Sequence, residues 1–279
     1  MSKQIHPCLW FDGQAKAAAE FYCSLFKNSK ITAENPMVVM WELNGNKIMG
    51  LNGGPMFKIN PSISFSVTCE TAEETKTLWT KLSEGGKVMM PLDKYPWSEL
   101  YGWLQDKFGM TWQISIVYNA GEKMKITPSF LFTDKRFGQG EAALNFYTKV
   151  FENSKKDQII LYPDGDPNAG KLMFSEFKIN GYQLIAMDGP GEHKYTFNEA
   201  VSFVVNCDTQ KEIDYYWNKF TAEGGEESMC GWCKDKFGVS WQIVPSILGE
   251  LMSDSNKALN VIQAFLKMKK FDIETLLKA

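Results

Sequence analysis

The sequence predicts an α+β fold of two tandem modules. Each module is built from paired βαβββ units that form a curved, mostly antiparallel sheet with helices outside. Three observations predict it. The chain carries a long internal repeat, each copy alternates strand-like and helix-like segments in the same order, and the strands are joined at turn signals that suit antiparallel pairing.

The repeat comes first, because it sets the domain count. Segment 21–30, FYCSLFKNSK, returns at 146–155 as FYTKVFENSK, with six of ten positions identical. Segment 102–114, GWLQDKFGMTWQI, returns at 231–243 as GWCKDKFGVSWQI, with nine of thirteen identical. Between them, Ser64, Phe65 and Cys69 match Ser202, Phe203 and Cys207, Trp79 matches Trp217, and Gly85 and Gly86 match Gly224 and Gly225. A period of about 120 to 140 residues is too long for a solenoid and suits a duplicated domain. The copies run over 1–120 and 125–249, with a short polar linker at 119–125 and a tail at 250–279.

In copy one, residues 6–11 read as a strand ended by Asp12 and Gly13. Residues 15–26 read as a helix, with Ala18, Phe21, Tyr22, Leu25 and Phe26 on one face. Residues 37–43 and 47–51 are strands around the hairpin signal Asn44-Gly45. Residues 62–68 are a strand, 72–83 a helix stopped by Gly85 and Gly86, and 88–90 a short strand. Residues 100–105 and 111–117 are strands around a turn at 106–109. In the tail, Leu259, Ile262, Phe265, Leu266 and Met268 recur at helical spacing, with Lys267, Lys269 and Lys270 late, and a second short helix follows from Asp272.

Composition narrows the function classes. Hydrophobic residues make up 44% of 279 and charged residues 23%, which suits two globular domains. The net charge of −3, with no long run of Lys and Arg, argues against a nucleic-acid partner. No signal-peptide pattern stands at residues 1–5 and no run of about 18 apolar residues follows, so neither export nor a membrane span is predicted. The six cysteines, Cys8, Cys23, Cys69, Cys207, Cys230 and Cys233, are too few for a disulfide scaffold of this length. Reduced thiols in a cytoplasmic protein are expected.

Several chemistries are disfavoured by pattern. Cys230 and Cys233 resemble a redox CxxC pair, but they begin a strand rather than a helix, so they read as strand side chains on opposite faces. The two histidines, His6 and His193, cannot supply a Ser-His-Asp triad in each copy, and His193 reads as solvated surface in the loop 190–194.

The same residues carry a family resemblance. The Phe11-Asp12-Gly13 turn, Phe21-Tyr22 with Asn28-Ser29, segment 51–55, Trp217, segment 223–225, segment 230–232, segment 235–243 and the basic tail segment 267–270 resemble the vicinal oxygen chelate superfamily of glyoxalases, bleomycin-resistance proteins and dioxygenases. Within it the chain resembles the PhnB-like branch, often labelled 3-demethylubiquinone-9 3-methyltransferase. The resemblance spans nearly the whole chain and is specific for fold and branch rather than activity. A nucleotide-like methyl donor needs a Gly-rich turn between a parallel strand and a helix, and the Gly pairs here follow helices or precede none.

Metal-using relatives place His and Glu ligands on the first and last strands of each βαβββ half. Carried over, His6 takes a first-strand position, with Thr127 its counterpart, and the next first-strand positions fall near Ser62 and Ala200. The last-strand positions fall on Gln113 and Gln242, and the remaining pair near Gly50 and Ala186. Copy one thus offers His6, Gln113 and, from a neighbouring strand, Glu42 for a divalent metal; copy two offers almost nothing. The competing reading of His6 is a polar residue at the strand start before Pro7. No cofactor is otherwise implied.

Alternation on the same strands sketches a cleft. His6, Cys8 and Trp10 share one face, as do Thr127, Ser129 and Leu131; Gln113 and Gln242 face it from the last strands. The expected ligand-binding set is His6, Cys8, Trp10, Trp103, Gln113, Ser129, Trp232 and Gln242. Trp112 and Trp241 are expected in the core, while Trp10, Trp103 and Trp232 fit a pocket wall and a packed core equally.

Three functions are therefore in view. The first is a protein that binds a small apolar or mixed-polarity molecule. The second is a metal-dependent glyoxalase- or dioxygenase-like enzyme active in copy one, and the third a non-catalytic protein whose second copy is an interface. The two copies can pair within one chain to give a monomer, or the tail helix can mediate a homodimer.

Overall fold

The computed structural model describes residues 5–117, 121–254 and 257–279. Residues 1–4 and the linker residues Asn119 and Ala120 lie outside them. Copy one runs β1 (His6–Phe11), α1 (Ala15–Leu25), β2 (Lys30–Glu34), β3 (Val38–Leu43) and β4 (Asn46–Asn52), then β5 (Ile63–Cys69), α2 (Ala72–Ser83), β6 (Lys87–Tyr95), β7 (Ser98–Gln105) and β8 (Thr111–Ile116). Copy two runs β9 (Lys125–Phe132), α3 (Gly140–Val150), β10 (Lys155–Leu161), β11 (Leu172–Ile179) and β12 (Tyr182–Asp188), then β13 (Val201–Cys207), α4 (Gln210–Thr221), β14 (Glu226–Glu227), β15 (Trp232–Lys234) and β16 (Ser240–Pro245). The tail holds α5 (Leu248–Ser253), α6 (Ala258–Phe265) and α7 (Ile273–Lys278). Each half is a βαβββ unit.

Local chemistry explains the elements. Thr71 and Thr209 accept hydrogen bonds from the Glu74 and Glu212 amides and so cap α2 and α4. Glu212 returns the bond to complete a capping box on α4. Asn44 and Gly45, at φ +48° and +80°, form the two-residue turn joining β3 to β4. The small residues Ala15, Ala18 and Ala19 let α1 lie close on β4. A side chain at Gly50 would come within 2.7 Å of the Trp41 ring and 3.0 Å of the Ala15 Cβ.

The strands form two eight-stranded sheets, ordered β14-β15-β16-β13-β1-β4-β3-β2 and β10-β11-β12-β9-β5-β8-β7-β6. Neither sheet belongs to one copy. β1 pairs antiparallel with β13, Cys8 opposite Ser202, and β5 pairs antiparallel with β9, Ser64 opposite Ser129. The sequence suggests that the two halves of one copy close one sheet; instead each sheet joins a half of copy one to a half of copy two.

The reason lies in the core. The halves of one copy face each other through their helices. Tyr22 of α1 packs on Trp112 of β8, ring centroids 5.2 Å apart, and Tyr147 of α3 packs on Trp241 of β16 at 5.5 Å. Trp41, Trp112 and Trp241 are fully buried on these helix-covered faces. With the halves stacked this way, the β1 and β5 edges find their partners across the repeat.

A buried carboxylate ties each stack together. Asp106 accepts the Tyr22 hydroxyl and the Trp112 indole N–H, both at 2.7 Å, and the amides of Phe108 and Met110. Asp235 repeats this with Tyr147, Trp241, Phe237 and Val239. Burial pushes both carboxyls above their ordinary range, with these donated hydrogen bonds working in the opposite direction.

The tail packs on copy two of its own chain. Val261, Phe271 and Leu276 are buried, and the Cys230 and Gly231 amides donate to the Met268 and Lys269 carbonyls, each at 2.7 Å. Lys270 pairs with Asp214 of α4 at 2.6 Å. Among the described residues, no helix is long and apolar enough to cross a membrane.

Candidate functional site

Each sheet turns one face to the four long helices and the other away from them. The second face gathers the candidate residues in two related centres. In the first sheet, His6 and Cys8 of β1 stand opposite Val204 and Ser202 of β13, and Val204 in turn stands beside Gln242 of β16. Gln242 Nε2 donates to the Ser202 hydroxyl at 3.0 Å. Burial pushes the Cys8 thiol up to about 12, against opposing hydrogen bonds with Gln242 and Ser202. His6 and Gln242 are 3% and 6% exposed.

In the second sheet, Gln113 of β8 donates through Nε2 to the Ser64 hydroxyl at 2.6 Å and reaches the Ser129 hydroxyl at 3.4 Å. Its Oε1 accepts the Tyr101 hydroxyl at 2.9 Å. Burial raises the Tyr101 phenol well above its ordinary value, so the group stays a neutral donor. The two centres are the same glutamine–serine pair written twice, with Cys8 and Ser129 in equivalent places.

Aromatic side chains frame both centres. Trp232 stands opposite Gln242, and Trp103 opposite Gln113. Trp10 lies edge-on to Trp232 and Phe57, with its Nε1 donating to the Gly54 carbonyl at 2.7 Å. The expected ligand set thus divides: His6, Cys8, Trp10, Trp232 and Gln242 on the first sheet, Trp103, Gln113 and Ser129 on the second. Ser64, Ser202, Tyr101 and Phe57 were not singled out. Strand alternation from Trp103 and Gln113 points to Tyr101 and could have found it; the serines are visible in the repeat but not as glutamine partners.

The expected metal set does not assemble. His6 lies on the first sheet and Gln113 on the second, because β1 and β8 of copy one join different sheets. Glu42, on β3, is separated from β1 by β4, about 10 Å across two strand spacings, and pairs with Lys30 instead. The first centre offers one imidazole, a neutral thiol and a neutral amide; the second offers hydroxyls and an amide. Such donor sets, with one imidazole at most and no carboxylate or thiolate, do not fit a divalent ion. Among the described residues, no three His, Cys, Asp or Glu side chains come together to hold one.

Other groups lie elsewhere. His193 sits in a loop, Nε2 beside the Pro190 carbonyl at 3.1 Å. A surface hollow of about 440 Å³ lies between α1 and α2, lined by Leu25, Lys27, Glu74 and Lys81, on the helical side. Cys230 and Cys233 are free thiols; Cys230 directs its Sγ to the Phe265 carbonyl and Cys233 is buried on β15.

These environments fix an order of thiol reactivity. Cys8, Cys69, Cys207 and Cys233 are buried, whereas Cys23 and Cys230 are partly exposed. At pH 8, Ellman's reagent will react with Cys23 and Cys230 on the native protein and with the rest only after denaturation. Rapid labelling of Cys8, read by peptide mass spectrometry, would show that the first centre is open and its thiol acidic, contrary to its burial.

The family model described as 3-demethylubiquinone-9 3-methyltransferase matches residues 3–115 and again 124–244. No curated protein matches. A PhnB protein of Bacillus cereus is 36% identical over 40% of this chain and 98% of its own, with a TM-score of 0.38. Glyoxalase I of Zea mays is 11% identical but covers 90% of this chain and 95% of its own, with a TM-score of 0.57. A glyoxalase-related enzyme of Fulvimarina pelagi is 20% identical over 43% of this chain and 94% of its own, with a TM-score of 0.34. The maize protein shows the fold alone. With the family pattern present in two successive segments that cover most of its length, the chain belongs to the PhnB-like 3-demethylubiquinone-9 3-methyltransferase family, as a tandem pair on a glyoxalase-like fold.

Proposed function

We propose that the chain binds a small apolar or mixed-polarity molecule against the helix-free face of its sheets. One observation carries this reading: on both sheets that face presents an uncharged, hydrogen-bonded glutamine–serine centre framed by tryptophan side chains. Small-ligand sites combine apolar walls with a few placed polar groups in this way. Each centre draws on both copies, so copy two contributes to binding surface as well as to an interface. Both sheets are completed within one chain, which supports a monomer. The free thiols suit a cytoplasmic, reducing compartment.

The family description names methyl transfer, but the strand-to-helix turns argue for binding instead. At α3 the Gly138 and Gly140 amides, which could cradle a phosphate-like group, both donate to the Asp188 carboxylate. At α1 the Ala15 amide donates to Asn52 Oδ1. The chain's own side chains fill these positions.

A panel of neutral and charged aromatic and aliphatic fragments, followed by ¹H–¹⁵N spectra of the nine tryptophan indoles, tests the reading. The expected result is saturable shifts at Trp10, Trp103 or Trp232, assigned by single Trp→Phe variants. Shifts confined to the core indoles of Trp41, Trp112 and Trp241, or none across the panel, would overturn it.

A further inference from the structure

The two copies also differ on the helical side, at the hollow between α1 and α2. In copy two the equivalent place is filled. Tyr215 of α4 reaches across it and donates its hydroxyl to the Val150 carbonyl at 2.9 Å. Val150 is the last residue of α3, and the last carbonyls of a helix have no partner within it. Lys219, one turn further along α4, places its Nζ over the Tyr215 ring, 5.8 Å from the centroid. Tyr216 packs beside it on Phe151, ring centroids 5.1 Å apart.

Copy one keeps what holds that phenol and lacks the phenol. Leu25 ends α1 as Val150 ends α3. With Trp79 aligned to Trp217, Lys81 of α2 stands where Lys219 stands. Thr77, however, stands in the place of Tyr215, and Leu78 in that of the larger Tyr216. Where copy two has these two rings, copy one has a hollow of about 440 Å³, with Leu25, Leu78, Lys81 and Met124 in its lining. Leu78 is buried and Leu25 and Met124 are half-buried, so the floor is apolar. That is room for one ring on an apolar floor with a few polar groups around it. The charges of the lining, Lys27 and Lys81 against Glu73 and Glu74, balance one another, and Lys27 lies 3.9 Å from Glu74. Nothing there selects an ionic ligand.

We propose that this hollow binds a small uncharged phenol. Its hydroxyl donates to the Leu25 carbonyl, as that of Tyr215 does to Val150, and its ring lies over Leu78 beneath the Lys81 ammonium. Copy two carries covalently the occupant that copy one takes from solution. The site lies on the helical side, away from the glutamine–serine centres, and does not depend on binding there.

The test uses the full chain and two matched probes: 4-methylphenol, which is the tyrosine side chain itself, and 4-methylanisole, whose hydroxyl is blocked. Methyl ¹H–¹³C spectra of Leu25, Leu78 and Met124 read the site. 4-Methylphenol will shift these methyls saturably, with a dissociation constant on the order of 1 mM for so small a ligand. The anisole will bind about fivefold more weakly. Thr77→Tyr, at an exposed position, will supply the ring from the chain and abolish the ligand-induced shifts. Tyr215→Thr will open the second place, and 4-methylphenol will then shift the Val150 methyls as well. No saturable shift of the three methyls in the parent chain, equal affinity for the two probes, binding that survives in Thr77→Tyr, or an unmoved Val150 in Tyr215→Thr would each overturn the inference. Shifts confined to the Trp10, Trp103 and Trp232 indoles would place the phenol on the sheet faces, leaving the reading of those faces standing and this site without its ligand.

Discussion

Asp106→Ala will lower the melting temperature by about 10 °C or more, and Asp235→Ala will do the same. Each carboxylate is the common acceptor of a tyrosine hydroxyl, a tryptophan indole and two backbone amides. Truncation leaves four donors in the core without an acceptor, at about 1–3 kcal/mol for each that water cannot reach. A total of about 4 kcal/mol or more is exceptional for one substitution, and a chain of this size loses about 2–4 °C for each kcal/mol. Differential scanning calorimetry against Asp12→Ala, an exposed carboxylate, gives the comparison. A melting temperature within 2 °C or so of the parent would show that water reaches these donors and that the tie is not structural.

Separating the copies will be more disruptive still. A fragment of residues 1–120 retains its helix-to-helix core and the β1–β4 and β5–β8 pairings but leaves the other edge of β1 and of β5 without its partner, β13 and β9. Unpaired edges in the middle of two sheets invite association. Each fragment alone will therefore dimerise or aggregate, while co-expression of 1–120 with 121–279 will yield a one-to-one complex with the melting behaviour of a single unit. Light scattering coupled to size exclusion decides it. A folded, monomeric 1–120 fragment would mean that one copy closes its own sheet.

Much of this architecture was legible in the residues. The helices follow from periodicity, and α2 runs over 72–83 as its pattern predicts. The buried Trp112 and Trp241 follow from their alternation with Gln113 and Gln242. β2 escapes because Lys30–Glu34 is a polar, largely exposed edge strand with no alternation to reveal it. β6 runs to Tyr95, far past residue 90, because its register breaks and its Pro91 disguise an edge strand. The tail makes three helices rather than two, α5 beginning at Leu248 before the repeat ends.

The exchange of halves between copies was not legible, and the repeat itself is the cause. Ser64-Phe65 and Ser202-Phe203 carry the same local text, so β1 would find nearly the same partner in β5 as in β13. Pairing is decided by how the helices stack the halves, which no single strand encodes. This is why a metal set drawn from His6 and Gln113 does not assemble and why Cys8 meets Ser202 and Gln242 of the other copy. It also explains how two related centres have come to differ, since Trp10 and Leu131 each serve a different sheet.

The most direct test of cross-copy pairing is a cross-link between the copies. In a chain with Cys8 as its sole cysteine and a protease site inserted near Gly121, Ser202→Cys places a second thiol directly opposite Cys8 on the antiparallel partner. Such positions have Cα atoms about 4.5–5.5 Å apart, within disulfide range. Ser64→Cys, its equivalent in copy one, is the control. After oxidation and cleavage, a non-reducing gel will show the Ser202→Cys chain still joined and the Ser64→Cys chain separated. A Ser202→Cys chain that separates, with the two thiols of the Ser64→Cys chain instead oxidised to a disulfide within its N-terminal fragment, would show that each copy closes its own sheet and would contradict the account of both centres.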